Sequence, residues 1–266
     1  MIAAPDLLGT IVAATRRIVE VREAARPARL LAREQTRTPR GQAFEEALAR
    51  DHKNATARVI AECKRRSPSR GILRADYDPA AHARAYADAG AAAISVLTEP
   101  TFFDGSPAHL REVRAAVTLP LLRKDFIVTE YQLIEAAVLG ADAVLLIVGA
   151  LDQPGLAALL RAAQGLSLAA LVEIHDSNEL QRAIDAGAQV IGVNSRNLRT
   201  LAVDPEVFGR VAEQLPRGTR KVAESGIRTS DDIARLSAIG YDAFLVGERL
   251  ITQPDPGAAL RELVGQ

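Results

Sequence analysis

The sequence predicts an α/β fold, a closed (β/α)8 TIM barrel with an N-terminal helical extension, on three observations. From residue 58 onward eight short apolar runs alternate with segments of helical periodicity, and such alternation indicates a parallel sheet. The chain has 266 residues, close to the ~250 typical of one closed barrel. No GxGxxG follows the first apolar run, so the main sequence mark of an open dinucleotide-binding sheet is missing. The expected organisation is one barrel domain over 1–266, with 1–50 as its extension.

Residues 1–50 are rich in Ala, Arg and Glu and hold no β-branched run of strand length. Leu7–Ala25 and Gly41–Arg50 have helical spacing, interrupted by Pro27 and Pro39. The glutamates among the arginines point to a solvated helix face rather than a nucleic-acid arm. The strand candidates are Arg58–Cys63, Ala91–Leu97, Pro120–Arg123, Ala143–Val148, Ala169–Ile174, Val190–Val193, Lys221–Ala223 and Ala243–Val246. Helical segments fall at Pro79–Ala89, Pro107–Val117, Glu130–Leu139, Gln153–Ala163, Ser177–Ala186, Pro205–Gln214, Asp231–Ile239 and Gly257–Val264. Asp78-Pro79, Ser106-Pro107, Thr129, Asp204-Pro205 and Ser230 are helix-opening signals, and Gly90, Gly140, Gly187 and Gly240 are closing ones. The stretch between the first strand and its helix, through Pro68 and Gly71, reads as a polar loop without regular structure.

Composition narrows the function classes. An apolar fraction of 48% supports a large core, and 33 basic residues balance 33 acidic ones. A net charge of zero supplies no long-range field for nucleic acid or an anionic membrane, though a few cations at one site suffice for an anionic small molecule. The single cysteine, Cys63, reads as a buried structural thiol. No basic segment followed by a long apolar one opens the chain, and the longest apolar run, Ala143–Leu151, is too short to span a bilayer. A soluble cytoplasmic protein is the expectation.

In a parallel barrel the reactive groups gather at the C-terminal ends of the strands. The first run ends in Glu62, Lys64 and Ser67, the third in Lys124, Asp125 and Phe126, the fifth in Glu173. The sixth ends in Asn194, Ser195 and Arg196, the seventh in Glu224, Ser225 and Gly226, the eighth in Gly247 and Glu248. Glu62 and Lys64, two apart, share one strand face and would serve either as a rim ion pair or as chemistry. The strand starts carry little of this kind, and buried strands have no structural need for charge at one end. Glu62, Lys64, Lys124 and Glu173 are then a coupled acid–base set. Glu224-Ser225-Gly226 and Leu245-Val246-Gly247 resemble phosphate-binding turns after the last two strands. Asp125 reads as a structural carboxylate and His175 as a rim histidine; His52, His82 and His109 fall on helices or loops. No His, Cys and carboxylate set has metal-ligand spacing, so no metal is expected.

Eight motifs in order carry a family resemblance: IAECKRRSPSRG (60–71), LTEPTFFDGS (97–106), LLRKDFIV (121–128), ADAVLLIV (141–148), LVEIH (171–175), IGVNSRNL (191–198), VAESGI (222–227) and FLVGE (244–248). Together they resemble the indole-3-glycerol-phosphate synthase family of tryptophan biosynthesis over essentially the whole chain. The resemblance implies a carboxy-lyase that converts 1-(2-carboxyphenylamino)-1-deoxyribulose 5-phosphate to indole-3-glycerol phosphate, CO2 and water without a cofactor. It implies a catalytic set of Glu62, Lys64, Lys124, Glu173, Asn194 and Ser225 supported by Glu224, with Lys124 as the acid of ring closure and Glu173 and Lys64 in later proton transfers. Phe103, Phe126 and Leu198 would line the anilino pocket, and Arg196 and Lys64 would meet the substrate carboxylate. Ser67 and the backbone at Gly226, Leu245, Gly247 and Glu248 would hold the phosphate. Many family members carry serine after Gly247; Glu248 stands there instead, and its carboxylate is expected to point away from the phosphate. The implied partner is an anionic phosphorylated small molecule, with neither nucleic acid nor membrane. The implied state is a monomer or weak homo-oligomer, with room for association with other tryptophan-pathway enzymes.

Two readings compete, a second phosphosugar barrel enzyme and a protein of another class. An Amadori-type ketol-isomerase would share the phosphate turns but need only one acid–base pair and no aromatic pocket. A non-catalytic scaffold barrel would lack acids and bases at the strand ends, and none of these positions is empty.

Overall fold

Residues 6–50 and 56–265 are described in a computed structural model; His52 lies outside them. Eight parallel strands close into a barrel: β1 (Arg58–Cys63), β2 (Ala93–Leu97), β3 (Leu121–Lys124), β4 (Ala143–Ile147), β5 (Ala169–Ile174), β6 (Val190–Asn194), β7 (Arg220–Glu224) and β8 (Ala243–Val246). β1 pairs with β8 on one side (Ile60 opposite Leu245) and with β2 on the other (Ala61 opposite Ile94). Every other strand pairs with its neighbours in chain order, so no edge is left open.

The strands are apolar on both faces, and their period of two sorts two cores. Val59, Ala61, Cys63, Val144, Leu146, Val172 and Ile174 face outward against the helices. Ile60, Leu122, Leu145, Leu171, Val222 and Leu245 form the interior. Carried one step further along each strand, the interior parity reaches Glu62, Lys124, Glu173, Asn194 and Glu224. The charged residues therefore form the top interior layer, while Cys63 faces outward and is fully buried.

The helices that cover the barrel are α4 (Pro79–Asp88), α5 (Pro107–Ala116), α6 (Glu130–Leu139), α7 (Gln153–Gly165), α8 (Ser177–Ala186), α9 (Val207–Ala212), α10 (Ser230–Ala238) and α12 (Pro256–Val264), with a one-turn α11 (Glu248–Ile251) directly after β8. Gly90, Gly140, Gly187 and Gly240 all sit at positive φ and turn the chain from helix to strand as expected. Asp78 and Ser106 cap their helices through side-chain oxygens. Two expected openings move: Thr229, not Ser230, caps α10 in a capping box with Asp232, and α9 begins at Val207 because Asp204 binds the Glu206 amide ahead of it.

The extension is helical: α1 (Leu7–Ala25), α2 (Ala28–Leu31) and α3 (Gly41–Ala47), the last shorter than its expected 41–50. Phe44 and Leu48 close the bottom of the barrel, packing into the interior cluster. Gly41 is required there, since a Cβ would fall 2.5 Å from the Ala169 amide nitrogen. Leu8 and Ile11 of α1 join the same cluster from the mouth, beside Phe126 and Ile147. The arginines of the extension are not simply a solvated face. Arg37, Arg40 and Arg114 converge on buried Asp142, and Arg22 reaches Glu135 at 3.2 Å, so part of this charge fastens the extension to the barrel.

The loop after β1 also departs from expectation. Arg66–Ser67 and Gly71–Ile72 form a two-stranded antiparallel hairpin, with Ser67 opposite Gly71. Gly71 supplies the left-handed residue (φ 70°) that lets the chain reverse after Pro68, so the residues read as breakers are those that make the turn.

Candidate active site at the barrel mouth

A cavity of about 800 Å³ opens at the C-terminal ends of the strands. The implied catalytic and substrate-binding residues all line it, Glu62, Lys64, Lys124, Glu173, Asn194, Glu224 and Ser225 together with Ser67, Phe103, Phe126, Arg196, Leu198, Gly226, Leu245, Gly247 and Glu248, whereas Ser195 and His175 are not among its lining residues. Leu245 lies within β8, so its side chain is apolar wall below the turn.

Lys124 is the centre of the floor. Its Nζ lies 3.3 Å from Glu173 Oε2 and 3.6 Å from Glu224 Oε2. Burial disfavours an ammonium here, but the carboxylates of Glu173, Glu224 and Glu62 outweigh it and hold Lys124 above the usual lysine range. Burial likewise opposes charge on Glu173, yet Lys124, His175 and the Asn194 amide keep its carboxyl below the usual range. Glu224 is pushed well above that range by burial and by Glu173. The two acids are therefore driven apart, Glu173 releasing its proton more readily and Glu224 less readily than an ordinary glutamate. Beside them Lys64 pairs with Glu62, so the two-residue spacing does place both on one face.

Two glycines make room for these acids. A Cβ at Gly192 in β6 would overlap Glu224 Oε1, and one at Gly247 would overlap Glu62 Oε1. Gly192 was not singled out from the sequence; its signal is a glycine inside a strand run, which marks a close approach.

Asp125 is structural, as expected. It accepts from Thr98 Oγ1 (2.6 Å), from Arg123 (2.9 Å) and from the Phe126 amide (2.9 Å). Arg123 is fully buried and also donates to Glu135, the carboxylate that Arg22 of α1 reaches. Phe126, fixed in this way, faces Phe103 with ring centroids 6.0 Å apart. The loop that carries Phe103 is organised by Glu99, a buried carboxylate that accepts from the amides of Thr101, Phe102 and Phe103 at 2.7–3.0 Å. Glu99 also escaped the sequence reading, because a carboxylate at a strand end that accepts the amides of its own loop looks the same in sequence as any polar loop residue.

At the opposite rim Ser225 has φ 68° and Gly226 φ 74°. A serine in the left-handed region is strained, and Ser195 Oγ supports it by donating to its carbonyl at 3.1 Å. The amides of Gly226 and Glu248 donate to no protein group among the described residues. Glu248 does not simply turn outward; its carboxylate meets Arg70 of the β1 hairpin at 3.1 Å. Arg196 donates to the Leu201 carbonyl at 3.2 Å. His175 stands at the rim, between Glu173 and Glu179. Among the described residues no group of three or more His, Cys, Asp or Glu is arranged to hold a metal ion.

Comparison with known proteins follows the same lines. The profile of the family described as indole-3-glycerol phosphate synthase matches residues 8–263. The chain is 56% identical over 206 residues to "Indole-3-glycerol phosphate synthase" of Parafrankia sp. (strain EAN1pec), covering 77% of each chain. It is 56% identical over 207 residues to "Indole-3-glycerol phosphate synthase 1" of Streptomyces coelicolor, covering 78% of this chain and 77% of the relative. Among solved structures, thiamine phosphate pyrophosphorylase from Pyrococcus furiosus superposes with a TM-score of 0.60 at 18% identity, covering 80% of this chain and 96% of that one. KGPDC from Streptococcus mutans does so with a TM-score of 0.61 at 15% identity, covering 78% and 95%. At such identities the structural likeness is one of fold.

Proposed function

The chain belongs to the indole-3-glycerol phosphate synthase family, and from that membership we propose how the residues of its barrel mouth divide the work. The enzyme is a carbon–carbon lyase of tryptophan biosynthesis. It closes the indole ring of 1-(2-carboxyphenylamino)-1-deoxyribulose 5-phosphate, releasing CO2 and water.

In this reading the anilino ring lies against Phe103, Phe126 and Leu198. Arg196 and Lys64 meet its carboxylate, and the phosphate rests on Ser67 and on the amides of Gly226, Gly247 and Glu248. The ring carbon bearing the carboxylate attacks the ketone carbon while Lys124 gives the carbonyl oxygen a proton. The ring nitrogen feeds electrons through the ring, so the step needs no external sink. CO2 then leaves, and its bonding pair restores the aromatic ring. Glu173 takes a proton from the former methylene carbon, and Lys64 gives one to the departing hydroxyl, which leaves as water. Two protons enter and one is removed, so each turnover takes up one proton from solvent. That matches a carboxylate leaving as neutral CO2.

The observation that supports this most is Lys124, an ammonium held between two carboxyl groups at the base of the cavity, 3.3 and 3.6 Å from them. With Glu62–Lys64 beside it the mouth holds two acid–base pairs. The three-step conversion uses both, whereas a ketol-isomerase would use one. Barrel and extension act as a single domain in this reading, since α3 closes the floor and α1 packs at the mouth. We also take the enzyme to be cytoplasmic and a monomer or weak homo-oligomer. Among the described residues no helix is long and apolar enough to cross a membrane.

The test is a steady-state assay that follows indole fluorescence from the carboxyphenylamino substrate. Turnover with indole formation is expected. Isomerisation of a phosphosugar without indole formation, or no turnover at all, would overturn the assignment.

A further inference from the structure

Glu173 and Glu224 end β5 and β7 on the interior face and approach one ammonium at nearly equal distances, 3.3 and 3.6 Å. Two buried carboxylates sharing one cation do not both ionise cheaply, so the pair retains a proton. Lys124 by itself scarcely chooses which of them keeps it. The asymmetry lies one group further out.

His175 Nε2 stands 3.5 Å from Glu173 Oε1. On the other side of the ring, Nδ1 lies 3.0 Å from Oε2 of Glu179 in the first turn of α8, and the same oxygen accepts the His175 backbone amide at 2.8 Å. With Nδ1–H committed to Glu179, a neutral ring would turn the Nε2 lone pair toward a carboxylate. A protonated ring donates to Glu179 from Nδ1 and presents positive charge to Glu173 from Nε2. Neither oxygen of Glu224 has a hydrogen-bond partner among the described residues, and neither do Glu173 Oε1 and His175 Nε2, so the ring acts on Glu173 as a charge 3.5 Å away; the cation that acts on Glu224 is Lys124, with no second one comparable to His175.

We infer that His175 is a positioning residue: its imidazolium, held by Glu179 against Oε1 of Glu173 alone, keeps Glu173 as the ionised base and leaves the shared proton on Glu224. The inference rests on the ring-closing site described above and adds a residue that touches no substrate. The charged and titratable groups facing Glu173 are Lys124 from β3, Glu224 from β7 and His175 from its own strand, with the Asn194 amide from β6; Glu62 from β1 acts on Lys124 and Glu224. Those facing His175 are Glu179 from α8, Glu173 from its own strand and Lys124. The proton affinities run in the same direction: burial opposes the imidazolium, and Glu179 and Glu173 still hold His175 above the usual histidine range.

The experiment is the pH profile of kcat/KM for wild type, His175→Asn and Glu179→Gln, measured with the carboxyphenylamino substrate. The acidic limb of that profile reports ionisation of the base in the free enzyme. Loss of a cation beside Glu173 raises its pKa, so in His175→Asn the limb should move up by about one pH unit, with KM within about threefold of wild type. Glu179→Gln leaves the ring in place and removes the carboxylate that holds it; a smaller shift in the same direction is expected. This variant keeps the test available if His175→Asn fails to fold. A merely structural role would lower kcat at every pH and leave the limb where it is. No turnover by wild type would overturn the assigned reaction and the role of His175 with it. Wild-type turnover with the limb within about 0.3 pH unit of its position in both variants overturns the role of His175 alone.

Discussion

Arg70 and Glu248 join the two sides of the mouth: the guanidinium on the β1 hairpin meets the carboxylate at the start of α11 at 3.1 Å. The pair stands beside the amides proposed to hold the phosphate. Both side chains are partly exposed, so their attraction adds little to stability. Its consequence is for the ligand, because Arg70 neutralises a carboxylate that would otherwise repel the phosphate. Arg70→Ala is expected to raise KM by roughly tenfold with little change in kcat. Arg70→Ala with Glu248→Ser should recover most of that loss, since the repelling group goes as well. Steady-state kinetics of the two variants checks this; a double variant no better than the single one would mean that Arg70 binds phosphate independently of Glu248.

Lys124→Ala should abolish ring closure with the fold intact. The side chain ends β3 inside the cavity, and its loss leaves Glu173 and Glu224 free to share a proton between them. Removing a general acid costs about 10²–10⁴ in rate. The measurement is kcat of a variant whose circular dichroism matches wild type; a value within threefold would remove Lys124 from the mechanism.

Glu173→Gln keeps the shape of the side chain and removes the base. A large fall in kcat is expected with substrate Kd nearly unchanged, because the proton transfer belongs to the transition state and not to binding. Binding measured by quenching or calorimetry, set beside kcat, separates the two. Weak binding with normal turnover would make Glu173 a binding group.

Much of this site was legible because its chemistry follows strand parity. Glu62, Lys124, Glu173, Asn194 and Glu224 sit where a period of two carries the interior face to the strand ends, and a single chain displays that period. Asp125, one residue beyond Lys124, falls on the opposite parity and is structural for the same reason. What escaped was set by partners far away in sequence. Nothing near Arg22 announces Glu135, 113 residues later, so an anchor looked like a solvated face. Gly192 matters through the Glu224 carboxyl and the Leu171 side chain of the two adjacent strands. The hairpin at 66–72 was hidden because Pro68 and Gly71 signal a break and a turn alike, and only the pairing of Ser67 with Gly71 distinguishes them.

Glu224 gives a prediction about stability. Burial and Glu173 push its carboxyl in the folded protein to a pKa well above its unfolded value. Between those two values the native state binds more protons than the unfolded one, so this group's contribution to stability is full below the unfolded pKa and falls as pH rises. Glu224→Gln removes the titration and keeps the neutral shape. The Tm difference between variant and wild type should therefore become more favourable to the variant from pH 5 to pH 8. Thermal melts across that range are the check. A difference that stays constant would mean that Glu224 is not the carboxyl holding the proton.

The last prediction concerns the hairpin as a lid. Arg65–Gly71 carries Arg65, Arg66 and Arg70, and two ion pairs tie it to the neighbouring loops: Arg65 with Asp104 of the Phe103 loop, and Arg70 with Glu248. Contacts of this kind are weak and solvent-exchangeable, so the segment is suited to open and close while the barrel stays rigid. Lys64 lies at its base, paired with Glu62, so closure would carry an active-site cation inward and exclude water during ring closure. If this motion limits turnover through product release, kcat falls as a viscogen is added, whereas a chemistry-limited enzyme is indifferent. Gly71 is the sensitive position: at φ 70° it occupies a region that proline, fixed near −65°, does not enter. Gly71→Pro should therefore disrupt the hairpin, lower kcat and change the slope of the viscosity dependence. A wild-type kcat indifferent to viscosity, together with unchanged kcat and KM in Gly71→Pro, would make the hairpin a passive connector.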